Sequence, residues 1–281
     1  MVAQFINTVR QIVRSESVGT MEGIVRHLGW QMRRLFGRFP VELQLSNSRL
    51  LVDRPQGVGA LVNCMGMYDY NNMHLLQLLL AAVPEPVFFD IGANVGAYSL
   101  VASEVAGSRV FAFEPHPASF QLLERNIELN KRSNVTPLRV ALSAETGDAL
   151  LTDTPDLSTN SILAQESPNQ ESVPITTARL DDICGERDIR PSVVKIDVEG
   201  HELKVIEGFS KGLRRTACVL VERGERQEIH ESMHRHGLEG PFWFHYSDRS
   251  FRTSPERRAE DPLYLLSEER AVIEKASARN G

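Results

Sequence analysis

Three carboxylates stand where short apolar runs end, each close to residues that could serve a ligand. "VFFDIGANVGAYSL" (87–100) places Asp90 at the end of such a run, then Gly92, Asn94 and Gly96, then a helix-like stretch beginning at Tyr98. "RVFAFEP" (109–115) supplies Glu114, 18 positions beyond Gly96. "VVKIDVEGHELKVIEG" (193–208) puts Lys195 and Asp197 on one face of a third run, followed by Glu199, His201 and Glu202. In an open α/β sheet, ligands bind outside the carboxyl ends of the strands. Glycines there let backbone N–H groups approach a ligand with no Cβ in the way, and asparagine tolerates the backbone angles required. A carboxylate at the first strand tip can hold a cationic ligand group directly or through water. A second, roughly 20 residues further on, is placed for a ribose diol.

These features separate several chemistries. A dinucleotide site reads G-x-G-x-x-G and rests a diphosphate on the helix that follows. Here the run is G-A-N-V-G with Asp90 two positions ahead of it. That anion is unfavourable beside a diphosphate and favourable beside the ammonium and sulfonium of S-adenosylmethionine. No G-x-x-x-x-G-K-[ST] phosphate loop is present. The competing readings are a nicotinamide oxidoreductase on a similar sheet and a binding protein that keeps the fold without turnover.

For transfer to a hydroxyl, the acceptor must lose a proton to a base or to a metal-activated path. His201 is the candidate base, oriented by Glu199 or Glu202; the alternative is a histidine that caps or supports the helix start. Asp197 and Lys195 are the other candidate catalytic residues: Asp197 can contact the cofactor's ammonium or the acceptor hydroxyl, and equally can be the ion-pair partner that a buried Lys195 needs. Asp197 and Glu222 could share a magnesium ion. No third acid has a fixed position, so magnesium is possible but not favoured and no metal set is assigned. His230, His234 and His236 read as solvated rather than ligating. Arg249, Arg252, Arg257 and Arg258 form a loop that is either an anion site or simply solvated.

The elements that must position these groups follow from the alternation of β-branched runs and helical patterns after Val87, the mark of βαβ units. Strands are expected at 87–91, 109–114, 135–142, 192–198, 217–222, 242–247 and 262–267, the last two as an antiparallel hairpin. "PASFQLLERNIELNK", "HELKVIEGFSKGL" and "QEIHESMHRHG" read as helices. Residues 152–177 read as an irregular polar stretch and a candidate substrate lid. The expected units are an N-terminal helical or extended segment (1–60), the catalytic domain (61–270) and a tail (271–281).

Composition narrows the partners. The 281-residue chain has a net charge of −6, which argues against nucleic acid. Its first 38 residues nevertheless carry six arginines against two glutamates. That segment reads as a helical cover on the domain or as an arm for a membrane surface or a protein partner. Cys64, Cys184 and Cys218 show no metal or disulfide spacing, no apolar run is long enough to span a bilayer, and no signal peptide is evident. A cytoplasmic setting is expected.

Together, "FFDIGANVGAYSL", "VFAFEPHPASFQLLERNIELN", "ALS", "TARLDDI" and "VVKIDVEGHELKVIEGF" resemble the FkbM family of S-adenosylmethionine-dependent methyltransferases over roughly residues 60–225. The resemblance implies the class I methyltransferase, Rossmann-like α/β fold: about seven strands, mostly parallel with an antiparallel last strand, helices on both faces, here with an N-terminal helical extension. It also implies O-methylation of a carbohydrate or glycosylated acceptor, such as a surface polysaccharide, glycolipid or natural product. By the same resemblance Asp90, Gly92, Asn94 and Gly96, with Tyr98, line the methionine end, Glu114 binds the ribose, and Leu142 and Ser143 flank the adenine. "DVEG" lacks the Asn/Asp-Pro-Pro-aromatic motif of amine methylation, so oxygen is the expected acceptor.

Overall fold

The computed structural model describes residues 20–37, 39–55, 57–67, 69–154, 159–163, 170–222, 224–245, 248–255, 261–268, 270 and 273. Helix α1 (Thr20–Phe36) leads into the hairpin β1 (Val41–Leu45) and β2 (Ser48–Val52), then helices α2 (Gly57–Met65) and α3 (Tyr70–Ala82). The first alternating units are β3 (Val87–Ile91), α4 (Ala97–Ser103), β4 (Arg109–Phe113), α5 (Pro117–Leu129) and β5 (Val135–Leu138). A second set of strands follows: β6 (Ala141–Leu142), β7 (Gly147–Thr152), β8 (Ile162–Leu163) and β9 (Ser172–Ala178). The chain then runs through α6 (Leu180–Arg187), β10 (Val193–Ile196), α7 (Glu202–Gly208), α8 (Ser210–Leu213) and β11 (Cys218–Val221). It ends with α9 (Gln227–Arg235), β12 (Leu238–His245), β13 (Ser250–Arg252) and β14 (Leu263–Leu266).

The main sheet has the order β13-β12-β14-β11-β10-β3-β4-β5. β5, β4, β3, β10 and β11 run parallel, while β14 is antiparallel to both β11 and β12. It is therefore a mixed sheet with flanking helices. β3 and β10 are buried along their whole length, and successive side chains enter opposite layers. Phe88, Val110, Val193 and Leu220 pack with α3, α4 and α5; Phe89, Phe111, Val194 and Val219 pack with α7 and α9. From β3 the chain builds outward to β4 and β5, then returns to lay β10 on β3's other side. That reversal leaves a crevice at the carboxyl ends of β3 and β10, the place where such sheets bind ligands.

Several expected boundaries change. The run 135–142 is two strands: the chain turns after Leu138, and β6 pairs with β9 instead of continuing along β4. Pro137, which lacks an N–H, is tolerated because β5 is an edge strand. The stretch 152–177 is not wholly irregular. β6, β9, β7 and β8 form a second sheet around Ala141, Leu151 and Ile175, while 155–158 and 164–169 lie outside the described residues. "HELKVIEGFSKGL" divides into α7 and α8 at the buried Phe209. β12 and β14 pair as expected, and β13 adds an edge strand beside β12.

The boundary placed near residue 60 falls inside α2, and the hairpin before it is bound to the sheet layer. Glu104, at the end of α4, accepts from Ser46 Oγ (2.7 Å), Asn47 N (3.0 Å), Ser48 Oγ (2.7 Å) and Gln77 Nε2 (3.3 Å). Asn126 of α5 accepts from Leu51 N at 2.6 Å and donates to Leu51 O at 3.1 Å. α1 lies on α2 through the buried His27 and Trp30. No helix among the described residues is long and apolar enough to cross a membrane.

Candidate active site

Strand register assembles the charged centre. Lys195 of β10 stands opposite Asp90 of β3, so both side chains emerge on the same face of the sheet. Lys195 Nζ is 3.7 Å from Asp90 Oδ1 and 3.0 Å from Asp197 Oδ2, and lies 5.0 Å from the centre of the Tyr98 ring. Asp90 is almost wholly buried, and its Oδ2 accepts from Ser99 Oγ at 2.6 Å. Burial raises the Asp90 carboxyl, and Lys195 partly offsets that. Burial by itself would lower Lys195, but Asp197 and Asp90 outweigh it and the ammonium is shifted upward. The ion pair considered for Lys195 and Asp197 is thus present, and Lys195 stays protonated. Tyr98 donates to Asp69 Oδ2 at 2.6 Å. Asp69, raised chiefly by burial, joins this network from the turn before α3, a role with no signature in the sequence.

The glycine turn is organised differently from the expectation. Its N–H groups are taken up internally: Gly92 and Ala93 both donate to Phe113 O at 3.0 Å, and Gly96 donates to Ala93 O at 2.8 Å. Gly92 has φ +79°, and a Cβ there would lie 1.8 Å from the Asp197 carbonyl oxygen. The residue is required by the close approach of the β3 and β10 tips. Gly96, at φ +89°, would bring a Cβ to 2.5 Å from Leu123 Cδ1 of α5. Asn94, also at positive φ, donates its backbone N–H to Glu114 Oε2 at 2.8 Å. Glu114 Oε1 accepts from His116 N at 2.8 Å. Burial pushes the Glu114 carboxyl up to about 7, against the pull of these two backbone donors.

On the far wall, His201 precedes α7 but its side chain caps nothing. Its Nε2 lies 2.9 Å from Ser143 Oγ, so Ser143, rather than Glu202, orients the ring. Glu202 Oε1 instead accepts from Gly200 N at 2.7 Å. Burial lowers the His201 imidazole below the ordinary 6.5, leaving it neutral at pH 7.

These groups surround one cavity of about 400 Å³, walled by Asp90, Asn94, Glu114, Leu142, Asp197 and His201. Gly92, Tyr98 and Lys195 also reach it, whereas Gly96 and Ser143 stand behind the wall. Three further acids, Glu199, Glu222 and Asp261, complete a strongly acidic lining in which Lys195 is the one lysine or arginine among the described residues. Leu151 and Ile162 bring the second sheet to the rim, so the stretch expected as a lid contributes a folded wall. Carboxylate oxygens of Asp197, Glu199 and Glu222 lie within 4.8 Å of one another. Glu199 is the third acid that the sequence left without a position; its φ of +51° belongs to the turn after β10.

The histidines of α9 do not converge on a metal, nor are they simply solvated. His230 Nδ1 lies 3.3 Å from Tyr264 Oη, His234 Nε2 3.1 Å from Gly240 O and His236 Nδ1 2.7 Å from Ser232 O. Arg252 pairs with Asp248, while Arg257 and Arg258 lie outside the described residues.

Residues 90–239 match the methyltransferase FkbM domain. The chain belongs to this family. It is 34% identical over 150 residues to the hexuronic acid methyltransferase AglP of Haloferax volcanii, a match covering 53% of this chain and 60% of that protein. It is 32% identical over 152 residues to methyltransferase 1 of Beauveria bassiana, covering 46% and 61%. It is 30% identical over 156 residues to the 31-O-demethyl-FK506 methyltransferase FkbM of Streptomyces tacrolimicus, covering 44% and 60%. The chain thus spans about 60% of the length of these relatives.

Proposed function

We propose that this FkbM-family chain is an S-adenosylmethionine-dependent O-methyltransferase whose acceptor is a hydroxyl of a carbohydrate or glycosylated molecule. The observation that carries this reading is the single cavity where Asp90, Glu114, Asp197 and His201 meet. The strand order β12-β14-β11-β10-β3-β4-β5 supports the seven-stranded class I sheet, with β13 as an added edge. The names of the relatives, a hexuronic acid methyltransferase and a 31-O-methylating FkbM, favour an oxygen acceptor on a sugar or natural product.

The residues fit the cofactor. An acidic lining with one lysine suits a ligand bearing a sulfonium and an ammonium. Asn94 Oδ1 is buried and accepts no hydrogen bond among the described residues. When bound, S-adenosylmethionine supplies a methyl group on a sulfonium whose departure leaves a neutral thioether. Asp90 and Asp197 hold the ammonium end beside Gly92, Asn94 and Tyr98. Glu114 accepts from the ribose hydroxyls, and Leu142 covers the adenine with Ser143 behind it. Lys195 cannot serve as a base while protonated; its ammonium, 3.0 Å from Asp197 and 3.7 Å from Asp90, holds both side chains in place. His201, neutral and held by Ser143, takes the acceptor's proton at its free ring nitrogen.

Two expectations follow for these roles. His201→Ala should lower kcat by about a hundredfold, at the low end for a general base. The wild-type rate should fall on the acid side with a midpoint below 6.5, because burial lowers the imidazole. A pH–rate profile in which that limb survives His201→Ala assigns the base elsewhere. Asp197→Ala should reduce turnover more than Tyr98→Phe, since the change to Phe keeps the ring beside Lys195 and loses only the hydroxyl that donates to Asp69. Equal, near-wild-type rates from both would remove Asp197 from the mechanism.

The test of the whole reading is calorimetric titration with S-adenosylhomocysteine, then methyl transfer from labelled donor to a panel of sugars and glycosides. Saturable binding and labelled product support it; NAD binding without S-adenosylhomocysteine binding overturns it. The Asp197–Glu199–Glu222 cluster favours a second form, in which a magnesium ion held by these oxygens activates the hydroxyl. Lys195, 3.0 Å from Asp197, already neutralises one of the three acids and favours the metal-free form. Turnover unchanged by chelator supports the His201 route; turnover lost and restored by magnesium supports the metal.

A further inference from the structure

Among the described residues, the exposed large apolar side chains all belong to α1: Met21, Val25, Leu28, Met32, Leu35 and Phe36, between 49% and 79% exposed. Steps of three and four residues gather them on one face of the helix, continuous from its first turn to its last. The opposite face is already committed. His27 and Trp30 are buried on that side, Asn63 Nδ2 of α2 donates to Arg26 O at 3.0 Å, and a Cβ on Gly59 of α2 would lie 3.1 Å from the Trp30 ring. The helix is therefore fixed to the body of the protein without any help from its outer stripe. An apolar stripe of this extent marks an interaction surface.

Charge identifies what meets it. Arg33 and Arg34 stand in the last turn, and Arg26, bonded to Glu22 at 2.6 Å, stands about two turns earlier with a partly exposed side chain. Glu22 is the sole acid of the helix. α1 thus carries three arginines against one glutamate in a chain whose net charge is −6, so the helix is basic where the chain as a whole is acidic. Two copies meeting stripe to stripe would set this surplus of arginines against itself, with only an engaged Glu22 on each side to offset it. An anionic surface meets no such repulsion. We propose that α1 docks the protein on an anionic lipid surface, its apolar stripe at the acyl boundary and Arg26, Arg33 and Arg34 among the head groups. α2 carries the helix on one side and gives Gly57, Val58 and Leu61 to the cavity wall on another. α2 therefore lies between the docking helix and the cavity.

The experiment is co-sedimentation of the full chain with phosphatidylcholine vesicles, with and without phosphatidylglycerol. Binding should require phosphatidylglycerol, weaken with added salt and fall about fivefold for each of Arg33→Gln and Arg34→Gln. The pair Leu28→Glu and Leu35→Glu should abolish binding without moving the melting temperature, because both side chains are exposed. A chain that stays in solution with the anionic vesicles overturns the proposal, whether another copy or residues 1–19 cover the stripe. Light scattering on the same variants identifies the first case, a dimer lost with the stripe. Binding that survives the Leu28 and Leu35 substitutions also overturns it.

Discussion

Glu114→Gln should weaken S-adenosylhomocysteine binding by at least about a hundredfold. The carboxylate is buried at the tip of β4 and accepts from Asn94 N and His116 N, which shapes the glycine turn while leaving lone pairs toward the cavity. A ribose diol would add two charge-assisted hydrogen bonds at about 1.5–3 kcal/mol each. Losing both corresponds to at least a factor of about a hundred in Kd. The amide also turns an NH₂ toward one of the two backbone donors, so part of the turn geometry is lost with the charge. The wild type offers an independent check through pH. Burial raises the Glu114 carboxyl from 4.5 to about 7, so affinity should decline as the pH falls below about 7. The same shift acts on stability in the opposite sense. A group whose folded-state value is raised contributes its stability fully below 4.5 and loses it as the pH rises through about 7. Titration calorimetry and thermal melting across this window should therefore show opposite trends. A Glu114→Gln protein that binds like wild type would remove the ribose role.

Lys195→Met should be the most destabilising of the single changes considered, at about 3–5 kcal/mol, the usual result of removing one partner from a buried ion pair. Asp90 would remain in the core with Ser99 as its hydrogen-bond partner and no cation beside it. Asp197, which is 28% exposed, can turn to water and should contribute little to that loss. The melting temperature should fall by on the order of 10 °C. Two observations identify the cause. The deficit should shrink as the pH is lowered, because protonating Asp90 removes the unpaired charge. Lys195→Met combined with Asp90→Asn should recover much of the stability. A double variant no more stable than the single one would show that the lysine's contribution is packing against Tyr98 rather than charge.

How far the sequence could be read follows the range of the interactions concerned. β3, β4, β10 and β11 were legible because parallel strands buried on both faces are written as near-continuous apolar runs. Asp90, Glu114 and Asp197 were legible because a strand tip is a local property of the chain. Asp69 was not: its place beside Tyr98 depends on how α3 meets α4, and no spacing announces a contact between segments 29 positions apart. The partner of His201 was missed for the same reason, since Ser143 lies 58 positions away. β9 was hidden by its own composition. "SVPITTA" carries a proline and three hydroxyl side chains and is mostly half-buried, so it reads as loop until β7 is known to lie beside it. Gly92 has a second reason that the sequence did not show. It was assigned to ligand approach, and the structure adds that it makes room for the Asp197 carbonyl oxygen of the neighbouring strand tip.

Glu104 carries a consequence for where this protein begins as a folding unit. Its carboxylate is 6% exposed, takes hydrogen bonds from Ser46, Asn47, Ser48 and Gln77, and has the Arg132 guanidinium 3.8 Å away. Cutting the chain near residue 60 would strip a buried anion of its Ser46, Asn47 and Ser48 donors and remove Leu43, Leu45, Leu50 and Val52 from the core they help to fill. The hairpin therefore melts together with the sheet rather than ahead of it, and the smallest fragment that can be expected to refold starts upstream of Val41.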